Sequence, residues 1–176
     1  MSDERLDILL VGSSIFEQWP DPAAAAPGRS LRNAAIGGTQ TADWLDRLAP
    51  ALEAHRPREV WCYVGSNDFA NGVVADVIER NVVRLAAMVE SAGAGFVYFA
   101  VMKCPAKRPI WPTIDAYHAR LARQLSRPIV DLNAAVEGQR GMYQIDGVHL
   151  HGAAYDRIAE VTRAAMATPD SRGQPD

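Results

Sequence analysis

Short apolar runs alternate along the chain with longer segments in which apolar residues recur every three or four positions. The short runs predict five strands, at Asp7–Val11, Leu31–Ile36, Glu59–Val64, Gly95–Val101 and Pro128–Leu132. The longer segments predict helices at Thr41–Ala54, Val73–Ser91, Ile110–Leu125 and His151–Ala167. Strands that alternate with helices predict right-handed crossovers and a parallel sheet covered by helices on both faces.

The length of 176 residues favours one domain, which we expect over residues 1–167. The polar segment 168–176, with Pro and Gly, predicts a disordered tail. A net charge of −3 without a basic stripe argues against nucleic acid as a partner. The apolar runs are too short to span a membrane, and the acidic start does not resemble a signal peptide. With Cys62 and Cys104 expected to be free buried thiols, these features predict a cytoplasmic protein.

Small polar clusters follow the predicted strands. The first strand leads into Gly-Ser-Ser-Ile at residues 12–15, the second into an Asn-x-x-x-Gly-Gly turn at 33–38, and the third into Gly-Ser-Asn-Asp at 65–68. A further cluster, Asp-Gly-Val-His-Leu, occupies residues 146–150. In parallel α/β sheets, ligands bind beyond the carboxyl ends of the strands. The clusters are therefore expected to form one site.

Taken together and in this order, the four clusters resemble those of the GDSL, or SGNH, hydrolase family, and within it the bacterial lysophospholipase-like esterases. The resemblance spans residues 12–149. It implies a three-layer α/β/α sandwich with a five-stranded parallel sheet in flavodoxin-like order. It also implies a serine esterase with Ser14 as nucleophile, and an oxyanion hole formed by the Ser14 N–H, the Gly38 N–H and the Asn67 side-chain amide.

The residue types suit that chemistry. A serine hydroxyl becomes a strong nucleophile when a base removes its proton, and histidine can accept and return a proton near neutral pH. Asp146 lies three residues before His149, so one turn of chain can bring its carboxylate to the second ring nitrogen. Ser14, His149 and Asp146 are therefore the candidate catalytic residues.

Plainer interpretations exist for each cluster. Ser14 can be a helix N-cap, Asn67 and Asp68 can form an Asx turn, Gly37-Gly38 can be a tight turn, and Asp146 can cap a turn beside a surface His149. The family often has Asp where this chain has Ser13, which leaves two adjacent serines. Ser14 is favoured over Ser13 because it aligns with the family nucleophile.

The basic loop after the fourth strand contains Lys103, Lys107 and Arg108 and precedes Trp111. It can present a cation to an anionic or polyhydroxy leaving group, or it can be a solvated loop. The candidate substrate-contacting residues are Ser13, Asp68, Lys103, Arg108 and Trp111. His55 and His118 lie in polar stretches and are expected to be solvated.

The predicted function is hydrolysis of a small-molecule carboxylic ester through an acyl-enzyme, without a metal or organic cofactor. Short loops and no evident lid favour short acyl groups such as acetyl. Two alternatives remain: transfer of the acyl group to a sugar or small metabolite by the same residues, and a non-catalytic binding protein on the same fold. The sequence does not determine the oligomeric state.

Overall fold

A computed structural model of the chain describes residues 5–167. Its strands are β1 (Ile8–Gly12), β2 (Leu31–Asn33), β3 (Glu59–Tyr63) and β4 (Gly95–Tyr98). Its helices are α1 (Ser14–Glu17), α2 (Thr41–His55), α3 (Ser66–Ala70), α4 (Ala75–Ser91), α5 (Trp111–Leu121) and α6 (Gly152–Ala167). Three 3-10 turns lie at Pro22–Ala25, Pro105–Ile110 and Leu132–Ala135. None of the helices between residues 5 and 167 is long and apolar enough to cross a membrane.

The strands form a parallel sheet in the order β2-β1-β3-β4. Successive residues of β1 point to opposite faces, so Ile8 and Leu10 pack on one side while Leu9 and Val11 pack on the other. One core contains residues of α1 and α6, and the other contains residues of α2, α4 and α5. The predicted three-layer α/β/α arrangement is confirmed.

The prediction of a fifth strand over residues 128–132 is wrong in extent. Within the described residues the sheet has four strands, and the segment 128–132 contributes a single parallel bridge between Val130 and Phe99. Val130 donates to the Tyr98 carbonyl and accepts from the Ala100 amide, both at 2.9 Å. Pro128 has no N–H to continue the ladder, and Asp131 turns the chain into a 3-10 turn by accepting from the Asn133 amide.

Most other element boundaries differ from the sequence expectation near the carboxyl edge of the sheet. The second and fourth strands end at Asn33 and Tyr98, several residues early, because the chain there turns into the site loops. A separate short helix, α3, forms in the segment expected to be a turn. The proposed tail at 168–176 lies outside the described residues.

Candidate active site

β1 delivers the nucleophile candidate through a tightly packed glycine. Gly12 ends the strand with φ of 133°, a conformation that L side chains rarely adopt, and a Cβ there would overlap the Tyr63 carbonyl of β3. Ser13 then becomes the N-cap of α1, and Ser14 becomes the first helical residue. The interpretation of Ser14 as an N-cap is therefore wrong. The side chain of Ser14 is half-buried and lies at the carboxyl edge of the sheet.

A hydrogen-bonded chain connects Ser14, His149 and Asp146. His149 Nε2 lies 3.0 Å from Ser14 Oγ, and His149 Nδ1 lies 2.6 Å from Asp146 Oδ2. An ionised carboxylate only accepts hydrogen bonds, so Nδ1 carries the proton and Nε2 is left to accept from the serine hydroxyl. The fold thus brings together three side chains that are up to 135 positions apart in the sequence.

The loop from Tyr143 to Leu150 fixes the histidine. Asp146 Oδ1 accepts from the amides of Val148 and His149, each at 2.9 Å, and the Gln144 amide donates to the His149 carbonyl at 2.8 Å. The hydrogen bond from the His149 ring, followed by those from the two amides, lowers the pKa of Asp146 to about 2. The same Asp146 therefore caps a local turn and orients the ring, so the turn-only interpretation is incomplete.

The three residues that begin α3 each contact a different part of the site. Ser66 accepts from the Lys107 ammonium. Asn67 donates through Nδ2 to the Thr39 carbonyl at 2.9 Å. Asp68 accepts from the Thr41 amide at 3.0 Å and from the Thr41 hydroxyl at 2.5 Å. The start of α3 is thereby tied to the loops that follow β2 and β4.

The Asn67 side chain is held close to Gly38, because it is hydrogen-bonded to Thr39, the residue that directly follows Gly38. The amide nitrogen has two N–H groups, so one hydrogen bond to Thr39 leaves the second for another acceptor. Gly38 has φ of 79°, and nothing lies within 4 Å of where its Cβ would be. The loop after β2 is held to β1, since the Ile36 amide and the Thr39 hydroxyl both donate to the Gly12 carbonyl.

Two of the candidate substrate-contacting residues are buried. Ser13 is 1% exposed, and its hydroxyl has no hydrogen-bond partner among the described residues. Asp68 is also 1% exposed, and burial raises the pKa of this carboxyl although both Thr41 hydrogen bonds lower it. Neither side chain is open to a substrate, and Asp68 joins α3 to the start of α2.

The other three candidates lie on the loop and helix that follow β4. Lys103 pairs with Asp115 at 3.0 Å, and the Arg108 guanidinium lies over the Trp111 ring at 5.4 Å. Lys103 and Trp111 line one cavity of about 250 Å³. Its remaining lining residues are Pro105, Asp131, Asn133, Val136, Glu137, Gly138 and Tyr143. This cavity adjoins the histidine loop, because Gly147 packs against Pro105 and Ala106.

The sequence analysis named Lys107 in the basic loop but did not include Lys107 or Thr39 among the candidate site residues. Lys107 is 7% exposed, unlike the solvated loop residue that the charge pattern suggested. Thr39 holds the Asn67 amide, but a threonine two residues before a helix carries no signal of that contact. Besides the charge pattern of this loop, the sequence signal for Lys107 is that the two lysines among the 18 Lys and Arg residues both lie in it. In the part of the chain that the structure describes, no three His, Cys, Asp or Glu side chains are grouped as metal ligands.

Comparison with known proteins agrees with this geometry. The chain matches the GDSL-like lipase/acylhydrolase family over residues 11–157, a range that includes Ser14, Asp146 and His149. This chain belongs to that family, and the resemblance seen in the sequence is confirmed.

Individual relatives are more distant. Esterase TesA of Pseudomonas aeruginosa is 29% identical over 132 residues, which are 73% of this chain and 65% of that esterase. The crystal structure of TesA matches with a TM-score of 0.77 at 24% identity, covering 92% of this chain and 98% of the other. A catalytic mutant of an acetylxylan esterase from Geobacillus stearothermophilus matches with a TM-score of 0.76 at 17% identity, covering 96% and 98%. These structural matches establish a shared fold.

Proposed function

We propose that this protein is a serine hydrolase that cleaves carboxylic esters through an acyl-enzyme. The observation that carries the proposal is the continuous hydrogen-bonded chain from Ser14 through His149 to Asp146, with separations of 3.0 and 2.6 Å. A nucleophile, a base and a group that orients the base are the elements that such catalysis needs.

In the first half-reaction, Ser14 Oγ attacks the ester carbonyl carbon while its proton moves to His149 Nε2. The carbonyl electron pair moves onto oxygen, and the Ser14 N–H, the Gly38 N–H and the second Asn67 amide hydrogen donate to that oxyanion. The intermediate then collapses, the bond to the alcohol oxygen breaks, and His149 returns the proton to the alcohol. Water repeats these steps on the acyl-Ser14 ester and releases the acid. Asp146 stabilises the imidazolium throughout.

Hydrolysis of p-nitrophenyl acetate tests the proposal directly. We expect the wild-type protein to turn over the ester, and Ser14→Ala to lose about 10⁴-fold or more in kcat, because Ser14 supplies the hydroxyl that is hydrogen-bonded to His149 Nε2 within residues 5–167. Ser13→Ala is the matched control. It removes an unpartnered buried hydroxyl, so we expect it to retain activity within about threefold. Equal losses in both variants, or no labelling of Ser14 by a fluorophosphonate, would contradict the assignment.

We further propose that the acyl group is short, with acetyl as the simplest case. The side chains of His149 and Asp146 are 30% and 44% exposed, so the catalytic centre offers little enclosed surface to a long chain. Acetyl, butyryl and octanoyl esters of p-nitrophenol measure this preference. The acetyl ester is expected to have the highest kcat/KM, and a preference for octanoyl would reverse the conclusion.

The alcohol part of the ester is proposed to enter the cavity of about 250 Å³ that contains Lys103 and Trp111. Its lining combines one cation, two carboxylates and aromatic rings, which suits a polyhydroxy or charged alcohol better than an apolar one. The acetylxylan esterase that shares the fold acts on an acetylated sugar polymer. Trp111→Ala should therefore raise KM for an acetylated sugar and leave p-nitrophenyl acetate nearly unchanged; equal effects on both esters would exclude this placement.

We also propose that the protein works in the cytoplasm. Cys62 and Cys104 are both free and buried, which is compatible with a reducing compartment. Cell fractionation with an antibody against the protein tests this placement, and recovery outside the cytoplasmic fraction would contradict it.

A further inference from the structure

Lys107 is an unusual residue for its position. Its side chain is 7% exposed, and no carboxylate of residues 5–167 lies within ion-pair distance of its ammonium. A buried charge without a counter-ion is costly unless other polar groups compensate it. Burial accordingly lowers the pKa of the Lys107 amine. The catalytic scheme above does not use this group.

The ammonium is directed at the start of α3. Its Nζ donates to the Ser66 hydroxyl, and the Ser66 side chain in turn interacts with the phenol of Tyr63, where it lowers the pKa of that phenol. The Met102 amide donates to the same phenol oxygen at 3.3 Å. Lys107 is thus joined to the residue that directly precedes Asn67, through a buried relay that also includes β3.

The residue before Lys107 holds the opposite side of the site. The Ala106 amide donates to the Gly147 carbonyl at 3.2 Å, and Gly147 lies between Asp146 and His149. Two consecutive residues of one 3-10 turn therefore contact both halves of the catalytic centre. Residue 106 contacts the histidine loop, and residue 107 contacts the helix that carries the oxyanion amide.

From this arrangement we propose that Lys107 is a positioning residue, which holds the first turn of α3, and with it the Asn67 amide, at the distance from His149 that the oxyanion requires. The inference rests on the proposed ester hydrolysis and adds a residue to it. Because Lys107 is buried and its ammonium contacts Ser66, its proposed effect is exerted through Ser66 and Asn67. A donor that contacts only the developing oxyanion contributes to kcat and little to KM.

The perturbation that tests the inference is Lys107→Met, which keeps an unbranched side chain and removes the donor. We expect kcat for p-nitrophenyl acetate to fall roughly 10- to 100-fold with KM within about twofold, because displacement of an oxyanion donor acts on the transition state. Lys107→Arg keeps a donor and should restore part of the loss. Arg84→Met removes an exposed cation from α4 and serves as the matched control.

A double-mutant cycle separates positioning from general weakening of the fold. If Lys107 acts through Asn67, then Lys107→Met in an Asn67→Ala background should cost less than about threefold in kcat, since the donor is already absent. Ser66→Ala provides a smaller second variant that breaks the same relay, and it should reproduce the kcat loss if Lys107→Met fails to fold. Circular-dichroism melting of each variant identifies a folding failure.

The outcomes are distinct. A kcat loss that vanishes in the Asn67→Ala background supports the inference. Wild-type kcat in Lys107→Met or Ser66→Ala, or losses that multiply fully with Asn67→Ala, overturns it while ester hydrolysis stands. A wild-type protein that neither hydrolyses esters nor reacts with a fluorophosphonate overturns the proposed function, and the inference with it.

Discussion

Acidification should destabilise this protein through His118, a residue outside the catalytic centre. His118 lies in α5, and its Nε2 accepts from the Val101 amide at 3.0 Å, so the ring is neutral with its proton on Nδ1. Burial is the largest influence and lowers the pKa of His118 from 6.5 to about 4; the charges of Asp131 and Asp115 raise it, and that of Lys103 lowers it further. A protonated ring cannot accept from the Val101 amide, which lies three residues beyond the end of β4.

The sign and size of the effect follow from these two pKa values. His118 takes up a proton near pH 6.5 in the unfolded chain and only near pH 4 in the folded chain. The stabilising contribution of the neutral His118 ring to the unfolding free energy is therefore fully present above pH 6.5. It is lost as the pH falls from 6.5 to 4. The difference of about 2.5 pKa units corresponds to roughly 3 kcal/mol of unfolding free energy in total, of which about 2 kcal/mol is lost by pH 5.

Urea unfolding at pH 8 and pH 5 measures this contribution. His118→Gln is the informative variant, since an amide oxygen can accept from Val101 but does not titrate. Between pH 8 and pH 5 the unfolding free energy of the wild-type protein should fall by about 2 kcal/mol more than that of His118→Gln. His151→Gln, at an exposed position, is the control and should retain the wild-type pH dependence. If His118→Gln and the wild-type protein lose the same free energy, the buried acceptor does not determine the acid sensitivity.

Three further predictions concern the catalytic centre and its support. Asp146→Asn should reduce kcat about 10³- to 10⁴-fold with KM little changed, because no carboxylate then fixes the His149 tautomer. Stopped-flow ester hydrolysis measures kcat, and a loss below tenfold would argue against Asp146 as the group that orients His149. The pKa of Asp146 is lowered from 3.8 to about 2, so the stabilising contact of its carboxylate is fully present above pH 4 and is lost between pH 4 and pH 2. The difference in unfolding free energy between the wild-type protein and Asp146→Asn should therefore disappear over that pH range. Gly12→Ala should lower the unfolding free energy by more than about 2 kcal/mol, because the new Cβ meets the Tyr63 carbonyl and φ at this position is 133°. Thermal unfolding measures this effect, and an unchanged melting temperature would show that the end of β1 can relax.

The sequence predicted those features that depend on local pattern and on the ends of strands. Apolar runs located β1, β3 and β4, because burial on two faces leaves a continuous apolar signature. Helical periodicity located four of the helices. The weaker pattern of β2 fits a strand that is largely exposed. Polar clusters after three strands identified Ser14, Gly38 and Asn67, since the carboxyl ends of parallel strands meet at one edge. Ser14, His149 and Asp146 are joined in the structure as those clusters suggested.

The errors occur where non-local contacts compete with local preference. The segment 128–132 is as apolar as a strand, but the Val130 bridge is the extent of its pairing, because a ladder depends on partners that the local pattern does not specify. His118 was expected to be solvated, but it is half-buried and its Nε2 accepts from the Val101 amide in the loop after β4. Local polarity identifies neither outcome, since both depend on which elements pack together.

For the proposed catalytic centre, the sequence by itself predicted which side chains would supply the nucleophile, the base and the orienting carboxylate, because that chemistry restricts the residue types and their places at strand ends. Only the tertiary structure decided which neighbours support them. Ser13 and Asp68 were candidates for substrate contact and are buried. Lys107 was assigned to a loop that could be solvated or present a cation to the leaving group, and it is buried and reaches Ser66. Burial and hydrogen bonding across the fold are set by the packing of distant segments, and no spacing along the chain encodes those distances.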